Sequence, residues 1–107
     1  MYRDDRCEIQ VDGDGQAIIN VPQELDVIAS RDVYDDVTAT INDNTVERLV
    51  FDLSRTDFMD ATGLGTMLDL HNQSQEADKP FRLINPRPAI TKILEMTGLT
   101  SVFIIEK

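Results

Sequence analysis

The chain has 107 residues, 20 acidic and 10 basic, giving a formal charge of −10, with 41% apolar residues and one cysteine. That length suits one domain with one core, no apolar run approaches the roughly 20 residues of a membrane-spanning helix, and the lone Cys7 cannot form an internal disulfide. An acidic surface repels phosphate backbones and anionic lipid, which argues against nucleic acid and membrane partners; plain solubility is its simplest explanation, steering toward a basic partner the other.

The N-terminal MYRDDRCEIQ has no apolar signal core, so the cytoplasm is the expected compartment. Residues 7–11 (CEIQV) and 16–21 (QAIINV) are β-prone and flank Asp12-Gly13-Asp14-Gly15, which predicts a hairpin. Val33, Val37 and Ile41 then recur every four residues, with Asp32, Asp35 and Asp36 on other faces, predicting a helix capped by Ser30 and ending near residues 42–44. Residues 48–53 (RLVFDL) read as a buried strand, and from Gly63 onward Leu64, Met67, Leu68 and His71 share a helical face. Residues 81–84 form the next strand behind Pro80, completing a parallel crossover. Pro88 suits the first position of a third helix carrying Ile90, Ile93, Leu94 and Thr97 and closed by Gly98, and residues 102–105 make a last strand. The predicted order is ββαβαβαβ, an α/β fold with a mixed sheet of about five strands and helices mainly on one face.

The stretch FMDATGLG, residues 58–65, sits where a strand's carboxyl end meets a helix start, a place where loops are free and unpaired N–H groups gather. Asp60 can cap that helix through the amides of Thr62 and Gly63, while Gly63 and Gly65 permit close approach of neighbouring chain or ligand. Thr62 is then left near the first turn with an exposed hydroxyl, where a phosphate would add about −1.5 to −2 charges. From the residues alone, capping and turn formation are the favoured account of this stretch, because capping residues are so common. A P-loop is excluded by the missing lysine, and a dinucleotide fingerprint by the missing third glycine.

Val50-Phe51-Asp52-Leu53 followed by residues 58–65 closely resembles the central motif of STAS domains, specifically those of bacterial anti-sigma factor antagonists. Residues 93–99 (ILEMTGL) resemble the second signature at matching separation, and Glu24-Leu25-Asp26 the third, so the resemblance covers about residues 16–105 of a domain spanning 1–107. It implies that Thr62 is phosphorylated by a partner anti-sigma factor that is itself an ATPase-like serine/threonine kinase. It also implies that Asp60 helps position the hydroxyl, and that Asp26, Asp60, Ala61, Thr62, Gly63 and Leu64 lie at the partner interface. Unphosphorylated protein would bind the anti-sigma factor and free a sigma factor; phosphorylation would block binding, with a phosphatase as a further partner. The expected module is a monomer or weak homodimer without catalytic residues, cofactor or metal.

The sequence departs from the family pattern at Ala61 and Thr62, where serines are commoner, at Gln23, where a glycine is usual, and at Asp78-Lys79, where a helix-ending glycine is expected. After the fifth strand the family's usual C-terminal helix is not expected. Two further functions compete. One is a STAS subunit of a stressosome-like or lipid or anion transport assembly with Thr62 unmodified. The other is a receiver-like enzyme holding Mg²⁺ on Asp52, Asp57 and Asp60, against which stand the missing acidic pair and the terminal position of Lys107. His71 reads as a packed or surface residue, Cys7 as an unreactive small one, Met59, Met67 and Met96 as core filling, and Arg87 as a solvated side chain or a contact to phosphorylated Thr62.

Overall fold

The computed structural model describes residues 6–106; residues 1–5, read above for a signal segment, and Lys107 lie outside the described residues. Strands β1 (Glu8–Val11) and β2 (Gln16–Asn20) form the expected hairpin. Its turn is held by Asp12, whose Oδ1 accepts from the amides of Asp14 at 2.8 Å and Gln16 at 3.1 Å, and Gly15 takes φ 83° with Glu47 packed where a Cβ would stand. A two-residue strand β3 (Glu24–Leu25) leads into helix α1 (Val27–Ile41), then β4 (Arg48–Asp52), a second short strand β5 (Phe58–Met59) and α2 (Ala61–Glu76). Strand β6 (Phe81–Ile84), α3 (Pro88–Met96), a 3-10 turn (Leu99–Ser101) and β7 (Ile104–Glu106) complete the described chain.

The main sheet has the order β1-β2-β4-β6-β7, antiparallel at the hairpin and parallel elsewhere, so the mixed five-stranded sheet stands as expected. Each parallel strand is added on the same side of the last. With right-handed crossovers this puts all three helices on one face. Beneath them the inward residues Ala17, Ile19, Leu49, Phe51, Phe81 and Leu83 are buried against Val33, Val37, Met67, Leu70, Ile90 and Leu94. Phe51 and Phe81 stack at 4.4 Å between centroids, and His71 packs edge-on against Phe81 and Phe103 at 5.4 and 5.3 Å.

Several local expectations are corrected. The first helix starts earlier than the apolar period suggested: Asp26 caps it, and Ser30 lies buried one turn inside. The last strand begins at Ile104, because Gly98 at φ 75° turns the chain into the 3-10 turn. Helix α2, by contrast, ends differently from the family pattern as the Asp78-Lys79 departure implied: without glycine, Asp78 itself takes the left-handed conformation at φ 57°. Met59 and Met67 do fill the core, but Met96 is exposed. The strands β3 and β5, absent from the predicted order, pair with each other in parallel, outside the main sheet.

Candidate functional site at the twin helix starts

The β3–β5 pairing sets Glu24 opposite Phe58 and Leu25 opposite Met59, so the next residue of each strand, Asp26 and Asp60, arrives at an equivalent place. Both are extended residues that cap a helix. Asp26 Oδ1 accepts from the amides of Ile28 at 3.0 Å and Ala29 at 3.1 Å. Asp60 does more: Oδ1 accepts from the Gly63 amide at 2.8 Å, and Oδ2 from the Val27 amide of α1 at 3.2 Å. One carboxylate therefore ties together the first turns of two helices. The predicted bond to the Thr62 amide is replaced by this reach across to Val27.

Gly63 is the position where this closeness requires glycine. A Cβ there would stand 2.1 Å from the carbonyl oxygen of Leu25, whereas one on Gly65 would meet nothing within 4 Å. Close approach holds for the first glycine only. The loops that bring the strands together are pinned by Thr56, whose buried hydroxyl reaches the Pro22 carbonyl at 2.9 Å, and by Gln23, whose side chain donates to Asp57 Oδ2 at 2.8 Å. Arg87 is exposed, in keeping with a solvated side chain, and its Nε donates to the Ser54 carbonyl at 2.7 Å, bracing the loop after β4.

Of the six predicted partner-facing residues, Ala61 and Thr62 are exposed, Asp26 and Asp60 are half-buried and committed to backbone amides, Gly63 is buried, and Leu64 packs partly against the core. The Thr62 hydroxyl makes no hydrogen bond among the described residues. Asp52, Asp57 and Asp60 do not converge: Asp52 holds the Ser54 amide, and no group of three or more His, Cys, Asp or Glu among the described residues could hold a metal ion. This arrangement lends the receiver-like alternative no support.

The STAS domain profile matches residues 8–107. The chain belongs to the STAS domain family. The anti-sigma F factor antagonist of Lysinibacillus sphaericus is 28% identical to it over 82 residues, 77% of this chain and 70% of the relative. An anti-sigma factor antagonist from Mycobacterium paratuberculosis superposes with a TM-score of 0.81 at 23% identity, over 99% of this chain and 90% of that one. The Bacillus cell fate determinant SpoIIAA in its phosphorylated form superposes at 0.74 with 21% identity, over 94% and 91%. At these identities the superpositions establish the fold.

Sequence reasoning missed three apolar residues at this end of the STAS domain: Val27 (64% exposed), Ile28 (61%) and Phe58 (48%). A signal was present. Val27 and Ile28 fall off the stripe of Val33, Val37 and Ile41, and Phe58 alternates with the buried Met59, so each points away from the core. Two large apolar residues in the first turn of a helix are unusual dressing for a surface with this much charge.

Proposed function

We propose that this STAS domain is an anti-sigma factor antagonist that works by partner switching. The observation that carries the reading is the exposed, unbonded Thr62 hydroxyl in the first turn of α2, at the end of the molecule where Val27, Ile28 and Phe58 are also exposed. The names of the relatives support it. An apolar surface of this kind docks by excluding water, and a group of about −1.5 to −2 charges placed at its edge must be desolvated when the partner docks, which reverses the binding balance.

The acceptor chemistry falls to Thr62 and the donor chemistry to the partner kinase. Oγ attacks the terminal phosphorus of ATP, the Oγ–P bond forms, the bond to the β-phosphate oxygen breaks, ADP leaves, and the hydroxyl proton goes to a base. That base comes from the partner, since both oxygens of the neighbouring Asp60 already hold backbone amides. Asp60 acts on the reaction by fixing the turn that presents Thr62. A phosphatase resets the switch, the compartment is the cytoplasm, and the chain itself catalyses nothing.

The test is affinity capture from native lysate with wild type, Thr62→Ala and Thr62→Glu, bound proteins being identified by mass spectrometry. The reading expects an ATPase-like anti-sigma factor with the first two and its loss with Thr62→Glu. Recovery of one transporter or large assembly by all three variants alike would overturn it and leave Thr62 a residue of the helix start.

A further inference from the structure

We propose that the phosphate carried by Thr62 is received within the chain itself, in the groove between α1 and α2, with Arg31 as its counter-ion and the Ser30 hydroxyl as a hydrogen-bond donor. The inference rests on Thr62 being the phosphorylated residue and concerns where the group goes once attached.

Three observations carry it. Thr62 and Thr66 of α2 face Val27, Ser30, Arg31 and Tyr34 of α1 across one shallow groove. Ser30, only 4% exposed, has a buried Oγ with no hydrogen-bond partner in the described structure, although buried hydroxyls are almost always paired and a helical serine has the carbonyl four residues back within reach. An unspent donor at the wall of a groove is a place for an acceptor. Arg31 makes no ion pair among the described residues, in a chain with twice as many acidic as basic side chains, and Asp35 one turn further along the groove does not engage it. A guanidinium left free in such surroundings offers a planar fork of N–H donors to an oxyanion.

The remaining electrostatics divide. The first turn of α2 presents its N-terminal amides to Thr62 and favours a negative group, while Asp35 in the groove and the Asp60 cap oppose one. Arg31 tips that balance. Seated there, the phosphate lies along Val27, at the edge of the exposed apolar patch, so phosphorylation would alter the docking surface at a fixed place and not merely add a diffuse charge.

The experiment installs phosphothreonine at position 62 of the full chain by codon expansion and follows the phosphorus resonance against pH. A free phosphomonoester has its second pKa at about 6. The expected result is a value lower by about 0.5 or more in wild type, restored by Arg31→Gln, kept by Arg31→Lys and partly restored by Ser30→Ala. Coincident titrations of wild type and Arg31→Gln would overturn the proposal and place the phosphate in solvent; no effect of Ser30→Ala would overturn the hydroxyl's part. Because the phosphate is installed without a kinase, a flat titration beside a successful capture experiment sinks the groove alone, and a shifted titration beside a failed capture sinks partner switching alone.

Discussion

Gly63 and Gly65 stand two residues apart in one helical turn and meet opposite surroundings. Gly63→Ala drives a methyl into the Leu25 carbonyl, and the backbone of β3 must yield; the expected cost is about 3 kcal/mol. Gly65→Ala fills open space on an exposed helix and should stabilise by about 0.5–1 kcal/mol. Urea melts of the two variants read both signs, and two equal shifts would contradict the geometry. Cys7 offers a second residue-scale test. Burial, and then the Asp36 carboxylate 3.8 Å away, push its thiol up to about 11 from an ordinary 9.0. Since the folded value lies above the unfolded one, the neutral thiol is the form the fold favours: the contribution is complete below pH 9 and is lost as pH climbs toward 11. Alkylation by iodoacetamide at pH 8.5 should therefore run at least about tenfold slower in the native chain than in urea, and Asp36→Asn should narrow the gap.

At the scale of elements, the site is made by two short strands that no periodicity announces. Two residues each are too few for an alternation to show, so β3 and β5 were invisible as strands even though Glu24-Leu25-Asp26 and Phe58-Met59-Asp60 stood out as chemistry. Helix α1 is capped four residues before the predicted cap for a related reason. Ser30 precedes the clear apolar stripe, but Asp26 has its side chain free to turn onto the amides of the first turn, and Val27 and Ile28 obey no stripe because they face outward. Asp60 couples these elements, so Asp60→Ala removes a cap from α2 and a partner from the Val27 amide of α1 together. The expected cost is about 2 kcal/mol, twice that of an ordinary cap deletion, with faster amide exchange at Val27 as well as Gly63. Exchange that quickens at Gly63 alone would deny the bridge.

Across the whole molecule, strand order leaves the sheet with one face under helices and one that no helix among the described residues covers. Along the uncovered face Ile18, Val50, Arg82 and Ile104 lie in register on four neighbouring strands, yet Val50 is only 3% exposed. Arg82 explains this. Its guanidinium donates to Glu106 on β7 at 2.6 Å and to Gln16 on β2 at 3.3 Å, and reaching β2 from β6 takes the side chain across β4, over Val50. Its apolar stem substitutes for a missing layer. Arg82→Ala should cost about 1 kcal/mol, mostly through uncovered Val50, and the loss should persist at 1 M salt because the pair with Glu106 is half exposed and contributes little. A loss that salt abolishes would assign it to the ion pair.

The sequence by itself determined the regular elements and the family, because apolar periods, turn glycines and the FMDATGLG knot are local patterns that each span a few residues. The five-stranded sheet and the exposure of Thr62 at a helix start followed from them. Only the tertiary structure decided that one Asp60 oxygen serves a helix 33 residues upstream, that Gly63 is tight and Gly65 open, and that Ser30 and Arg31 face Thr62 across a groove. These are contacts between segments distant in the chain, brought together when helices and sheet bury a common core, and no spacing within either segment encodes them.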